Sequence, residues 1–141
     1  MVRLGLVVSQ FNKEWPLTAE MADRARAAAA ECGATVVAER AVPGSYDAPL
    51  AADRLARRDD VDAVVAIGAI VTGDTDHDRV IADAAARGLT DVSLDRDTPV
   101  TLGITGPGMS QDEAEARVDY GAQAVESAVD MVRELDTDTQ R

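Results

Sequence analysis

The sequence predicts an α/β fold in three layers, with helices covering both faces of a four-stranded parallel sheet. Short β-branched segments alternate with segments of helical apolar spacing along all 141 residues, as in repeated strand–helix–strand units. The third strand segment is apolar without alternation, which is typical of a strand covered on both faces. Because neither a linker nor an internal repeat divides the chain, we predict one domain over residues 1–141, with a loose tail at 136–141.

Four strands are predicted where β-branched and apolar residues cluster between turn residues. They cover residues 3–9, 34–42, 61–67 and 99–104. The segment 103–109, GITGPGM, is predicted to be a flexible loop because glycine and proline favour turns.

Four helices are predicted from apolar residues spaced three and four positions apart. They cover residues 16–32, 47–58, 78–87 and about 111–135. Pro16 suits a first helical turn, and Gly33 and Gly88 suit positions just past a helix end. The last of these helices has an apolar face wider than packing against one sheet requires.

The charge of the chain excludes several classes of partner. Its 26 acidic and 14 basic residues give a net charge of −12, so nucleic acid and anionic membranes are not expected to bind. No apolar run approaches the roughly 20 residues that a membrane helix needs. We interpret the carboxylate-rich surface, with Lys13 as the one lysine, as an adaptation to high salt. Because Cys32 is the one cysteine, an intrachain disulfide is excluded and a cytoplasmic location is predicted.

Candidate functional residues follow the strands. Right-handed crossovers place the carboxyl ends of parallel strands at one edge of the sheet, where ligands usually bind. The segments concerned are 10–12, 43–47, 68–77 and 103–109.

The segment 68–77, GAIVTGDTDH, has nearly the glycine spacing of a phosphate-binding loop. Asp74 occupies the lysine position of that motif and would repel a nucleoside triphosphate, so we reject a nucleotide-hydrolysing function. A glycine-containing loop that leads into a helix N-terminus still favours a small phosphate.

Aspartates at alternate positions 74, 76 and 78 imitate the start of a calcium loop. The imitation fails because Arg79 replaces the required glycine and Ala85 replaces the bidentate glutamate. We therefore interpret the aspartates as a solvated helix start and predict no metal site.

Four further residues each permit a structural and a functional interpretation. His77, the one histidine, is either a solvated residue at a helix start or a general acid/base. Phe11 is either part of the core or a stacking surface for a planar heterocycle. Asp47 is either a helix cap or a ligand-binding carboxylate, and Arg117 is either solvated or an anion ligand.

Taken together, these segments resemble the lumazine synthase family along nearly the whole chain. The matching segments, in chain order, are Phe11-Asn12, 42–49 (VPGSYDAP), 62–73, Thr75-x-His77, 84–89 (AAARGL), 99–104 (PVTLGI) and Arg117. Archaeal members share the Gly-Pro-Gly-Met loop and the Asp119-Tyr120-Gly121 step. No single motif is decisive, but the ordered set is specific.

The resemblance implies a flavodoxin-like layout and the condensation of 5-amino-6-ribitylaminouracil with 3,4-dihydroxy-2-butanone 4-phosphate. It also implies self-association into a pentamer or a larger assembly, which would occupy the wide apolar face of the last helix. In the family, the residues that match Leu102 and Arg117 enter the site from the neighbouring subunit. No cofactor is implied.

The resemblance assigns roles to individual residues. Phe11 stacks on the uracil ring, His77 moves protons, and Arg117 pairs with the phosphate. Ser45, Tyr46 and Asp47 hold the ribityl chain and the ring edge. Ala69, Ile70 and Val71 contact the pyrimidine through backbone groups. Asp74 and Thr75 line the site of the butanone phosphate.

Three features depart from the family pattern. Leu102 replaces an aromatic residue that is common in bacterial members, and Asp74 puts a carboxylate beside the phosphate. The segment between Gly103 and Gly121 is also shorter than in bacterial members, which affects the alignment of Arg117.

Three rival functions are weaker. An archaeal-type riboflavin synthase lacks the Thr75-x-His77 pattern. A non-catalytic signalling domain would need an aspartate at the end of the third strand, where Ile67-Gly68 stands. A flavin- or pterin-binding protein without turnover would keep Phe11 but would not need His77.

Overall fold

The computed structural model describes residues 1–10, 17–72 and 76–139, and it confirms the predicted fold class. Four parallel strands lie in the order β2-β1-β3-β4, a flavodoxin-like arrangement. The strands are β1 (Arg3–Ser9), β2 (Thr35–Val42), β3 (Ala63–Val71) and β4 (Val100–Met109). The helices are α1 (Leu17–Glu31), α2 (Ala48–Ala56, preceded by a 3-10 turn at Ser45–Asp47), α3 (His77–Arg96), α4 (Gln111–Ala116) and α5 (Tyr120–Thr139).

The sheet separates two apolar cores. Helices α1 and α5 cover one face, and α2 and α3 cover the other. Strand β3 is buried at eight of its nine residues and sends alternate side chains to the two cores: Val65 and Ile67 to the first, Val64 and Ala66 to the second. The continuous apolar run therefore has the structure predicted for it. No described helix has the length and apolar content needed to span a membrane.

Helix α3 extends well beyond its predicted end at residue 87. Gly88 lies inside the helix, which ends only after Arg96, where Asp97 adopts a left-handed conformation with a φ of 50°. A Cβ added at Gly88 would lie 2.7 Å from Pro49 Cγ in α2. The glycine therefore permits close packing of two helices and does not end one, although a glycine costs a helix about 1 kcal/mol relative to alanine.

The segment 103–109 is part of β4, so its prediction as a flexible loop was wrong. Thr105 pairs with Ala69, and Met109 pairs with Val71 after a change of register. Gly106 and Gly108 have positive φ values of 103° and 80°, which glycine adopts readily. They allow an irregular strand to remain paired at the edge of the sheet.

The predicted last helix is interrupted. Helix α4 ends at Ala116, and α5 begins at Tyr120 and continues to Thr139. Arg117 therefore lies at the end of α4 and not within one long helix. Both helices pack on the core: Ala114 of α4 is fully buried, and Gly121 of α5 lies close to Ile67.

Arginines on the surface connect different elements of the fold. Arg96 of α3 pairs with Asp53 of α2 at 2.7 Å, and Arg3 of β1 pairs with Asp62 at 3.1 Å. The hydrogen bond from Arg96 lowers the pKa of the Asp53 carboxyl from its ordinary value. Because this pKa is lowered in the folded state, the pair contributes stability at neutral pH and loses it as the pH falls through the lowered pKa.

Gly103 is a sensitive packing position between β4 and α5. A Cβ there would lie 2.9 Å from the Ala66 carbonyl oxygen and 3.2 Å from Ala124 Cβ. We expect Gly103→Ala to lower the free energy of unfolding by about 1–3 kcal/mol through overpacking. Chemical denaturation measures this directly. The control Gly44→Ala adds a Cβ that meets nothing nearer than 3.7 Å, and equal midpoints for both variants would contradict the packing argument.

Candidate active site

A cleft of about 290 Å³ lies at the carboxyl ends of β1 and β3, on the face covered by α2 and α3. The chain leaves β1 toward β2 and leaves β3 toward β4, so the helices diverge at this point of the sheet. Ligands of open parallel sheets bind at such a switch point. The residues that line the cleft are Gln10, Pro43, Gly44, Ser45, Ala69, Ile70, Val71, His77, Asp78 and Ile81.

Five of the predicted site residues meet in this cleft. Ser45 follows β2, Ala69, Ile70 and Val71 end β3, and His77 begins α3. His77 is exposed at the cleft, where it can exchange protons with a bound molecule. It lies at the N-terminus of a helix of 20 residues, whose dipole favours an anionic group nearby.

Tyr46 and Asp47 lie beside the cleft and do not line it. Tyr46 is exposed, and Oδ2 of Asp47 accepts a hydrogen bond from the Gly44 N–H at 3.1 Å. In this single chain the Asp47 carboxylate therefore stabilises the turn that positions Ser45. The expected contacts of Tyr46 and Asp47 with a ribityl chain stay predictions.

Leu102 and Arg117 are also outside the cleft. Leu102 is 43% exposed on the edge strand β4, where it lines a second cavity of about 330 Å³ that also includes Ile70. Arg117 donates a hydrogen bond to the Glu113 carbonyl at 3.0 Å, between α4 and α5. Arg117 follows α4, whose buried Ala114 belongs to the core on the opposite face of the sheet, and it does not line the cleft. Phe11, Asp74 and Thr75 lie outside the described residues.

The sequence did not indicate Asp78 as a site residue. It was interpreted as part of a solvated helix start, but it is 7% exposed and lines the cleft. Its spacing contained a usable signal, because Asp78 is in helical register with the buried residues Ala85, Leu89 and Val92. Gln10, Pro43 and Gly44 fall in the segments expected to follow strands, while Ile81 was not singled out.

Two hydroxyl groups lie close to Gly68 near the carboxyl ends of β1 and β3. The Ser9 hydroxyl is fully buried and has no hydrogen-bond partner within the described ranges. A Cβ added at Gly68 would lie 2.6 Å from Ser45 Oγ and 3.3 Å from Ser9 Oγ. A side chain at Gly68 would therefore collide with Ser45, and the glycine allows β1, β3 and the turn at Ser45 to pack closely.

Metal-binding side chains do not converge in the part of the chain that the structure describes. No group of three or more His, Cys, Asp or Glu residues there could hold a metal ion. Asp74, one of the aspartates considered for a calcium loop, is outside that part, so the prediction of a metal-free site stays a prediction.

Fold and cleft together define a parallel α/β protein with a small-molecule site at the switch point of its sheet. The family model of 6,7-dimethyl-8-ribityllumazine synthase matches residues 1–136. Three of the relatives that carry that name show the extent of the similarity. The protein of Halorubrum lacusprofundi is 64% identical over 136 residues, spanning 96% of this chain and 100% of the relative. That of Halobacterium salinarum is 63% identical over 135 residues, spanning 96% and 100%. That of Methanococcus maripaludis is 50% identical over 135 residues, spanning 96% and 97%.

The chain therefore belongs to the 6,7-dimethyl-8-ribityllumazine synthase family. It is an enzyme of the transferase class.

Proposed function

We propose that the protein condenses 5-amino-6-ribitylaminouracil with 3,4-dihydroxy-2-butanone 4-phosphate. The products are 6,7-dimethyl-8-ribityllumazine, phosphate and water, a step of riboflavin biosynthesis. The match of the family model to residues 1–136 carries this proposal. The direct test mixes the purified protein with both compounds and follows the absorbance of the lumazine. No lumazine above the uncatalysed rate would overturn the proposal.

The cleft supports this chemistry. An amine that attacks a ketone needs orientation, proton transfer and a bound leaving group more than it needs a strong nucleophile. The β3 segment Ala69–Val71 offers a surface to the pyrimidine, and His77 is the proton-transfer group. The N-terminus of α3 favours the phosphate. No metal or cofactor is required by these steps.

The residues absent from the cleft fit a site that is shared between subunits. In this proposal Leu102 and Arg117 act in the cleft of a neighbouring subunit, while Phe11, Ser45, Tyr46, Asp47, Asp74 and Thr75 act in their own. Met131 and Leu135 on α5 are 45% and 44% exposed, which leaves apolar surface for a neighbour. We propose a closed ring of five subunits, the size that the family resemblance implies, with larger shells built from such rings as an open alternative.

The rival functions receive no support from the comparisons. The relatives named above all carry the lumazine synthase name and not that of a riboflavin synthase, a flavin or pterin carrier, or a signalling protein. A cytoplasmic location, argued from Cys32, and the absence of nucleic-acid and membrane partners stay predictions.

His77→Ala is expected to slow turnover about 10- to 1,000-fold with little change in KM, because proton transfer is lost while substrate orientation remains. Steady-state kinetics measures both values. Thr90→Ala is the control: Thr90 is exposed elsewhere on α3, so this substitution should leave both values unchanged. A His77→Ala enzyme with the kcat of the wild type would contradict the assignment of His77.

Low salt is expected to weaken assembly and lower Tm. The net charge of −12 makes subunits repel one another, and salt screens this repulsion because the Debye length falls to about 3 Å at 1 M. Salt also weakens the exposed ion pairs, but each of these contributes only about 0–1 kcal/mol. Light scattering and thermal melting from 0.05 to 3 M salt test this balance. A flat response of both would show that the acidic surface is not a halophilic adaptation.

Mixed subunits test the shared site. Phe11→Ala and Arg117→Ala each remove one half of the proposed site, so each variant alone should be nearly inactive. When the two are mixed under conditions of subunit exchange, some interfaces regain both intact halves and activity should partly return. Each variant incubated alone is the control. Absence of recovery, with exchange demonstrated by mass spectrometry, would place Arg117 outside the neighbour's site.

A further inference from the structure

Asp78 occupies a position that the packing of α3 would assign to an apolar residue. The buried residues of this helix are Asp78, Ala85, Leu89 and Val92, which lie on one face at spacings of seven, four and three. This face packs toward the sheet and contributes to the second apolar core. Burial of a carboxylate among apolar groups is costly unless hydrogen-bond donors compensate for the lost water.

Among the described residues, one such donor reaches Asp78. Oδ2 of Asp78 accepts a hydrogen bond from the Gly108 N–H at 3.3 Å, near the end of β4. Within residues 1–10, 17–72 and 76–139, no arginine or lysine forms an ion pair with this carboxylate. A carboxylate has about four lone-pair sites, so the one long hydrogen bond found within these residues leaves most of its accepting capacity for other donors.

The position of Asp78 in the cleft indicates where such donors come from. Asp78 lines the same cavity as Ser45 and His77, and it follows His77 directly at the start of α3. A carboxylate accepts hydrogen bonds from N–H groups, so it suits the amine-bearing reactant. Departures from the usual pattern of buried apolar residues occur most often at functional sites, and Asp78 on the buried face of α3 is such a departure.

We propose that Asp78 is a further substrate-binding residue, whose carboxylate accepts N–H hydrogen bonds from the amino groups of the pyrimidine reactant. This inference rests on the proposed function and identifies a specificity determinant of the same site. The two amino nitrogens of 5-amino-6-ribitylaminouracil carry hydrogen before the reaction. In the lumazine both nitrogens are part of the new ring and carry none, so Asp78 recognises the reactant and not the product.

Asp78→Asn separates this role from a structural one. Asparagine has nearly the same shape, and its oxygen can still accept the hydrogen bond from Gly108. Its amide NH2 then faces the cleft and opposes the N–H groups of the reactant. If Asp78 only holds the end of β4 against α3, the variant should behave as the wild type does.

The experiment measures KM for both reactants, and Kd of the lumazine product by fluorescence titration, in Asp78→Asn and in the control Asp83→Asn. Asp83 lies on the same helix, is exposed and pairs with Arg87. We expect KM for the pyrimidine to rise about 10- to 100-fold in Asp78→Asn, the range for a lost charge-assisted hydrogen bond. KM for the butanone phosphate and Kd of the lumazine should change less than about twofold, a change worth only about 0.4 kcal/mol.

Two outcomes would overturn the inference in an enzyme whose wild type is active. One is an unchanged KM for the pyrimidine. The other is an equal weakening of pyrimidine and lumazine binding, which would indicate a general disturbance of the cleft; a fall in Tm would identify misfolding as its cause. A wild-type protein that forms no lumazine would instead overturn the proposed function itself, so the two failures are distinguishable.

Discussion

The burial of β3 on both faces is the constraint on which the rest of the molecule depends. With eight of nine residues buried, this strand requires helices on each side, and α1 with α5 and α2 with α3 supply them. Since β1 and β3 are neighbours but lead to opposite edges of the sheet, the covering helices separate at their carboxyl ends. The cleft fills that separation. The location of the site therefore follows from the apolar composition of one strand and the direction of the crossovers.

The charge of the protein opposes part of the proposed chemistry, which limits how a phosphate can be bound. A net charge of −12 repels an anionic reactant at long range, and many arginines of the described chain are paired with carboxylates on the surface. Attraction must then come from groups close to the ligand: the N-terminus of α3 and, in the proposed assembly, an arginine of a neighbour. High salt reduces the long-range repulsion while contacts at short range persist.

The sequence was sufficient for the fold class and for β1, whose bounds agree with the prediction, because β-branched periodicity is a local signal. It did not predict that α3 continues through Gly88, that residues 103–109 belong to β4, or that the last helix is interrupted at Arg117. Glycine ends a helix in one context and permits close packing in another, and only the contact with Pro49 distinguishes the two.

For the site, Ser45, Ala69–Val71 and His77 reach the cleft as expected. Asp78 was missed because a helix start in an acidic chain is usually solvated. Leu102 and Arg117 lie outside the cleft of their own chain, and their roles in the proposed assembly are not encoded by spacing within one chain.

Buried polar side chains of the described residues are found at the carboxyl edge of the sheet and not at its amino edge. Among the described residues, those that are buried and polar or charged are Ser9, Thr18, Ser45, Asp78 and Thr105. Ser9 ends β1, Thr105 lies in the second half of β4, and the other three lie in segments that follow a strand. All five are therefore at the carboxyl edge, whereas the buried interior near the amino edge is apolar. The cost of burying polar groups is therefore confined to the carboxyl edge, where Ser45 and Asp78 supply the cleft with a hydroxyl and a carboxyl group.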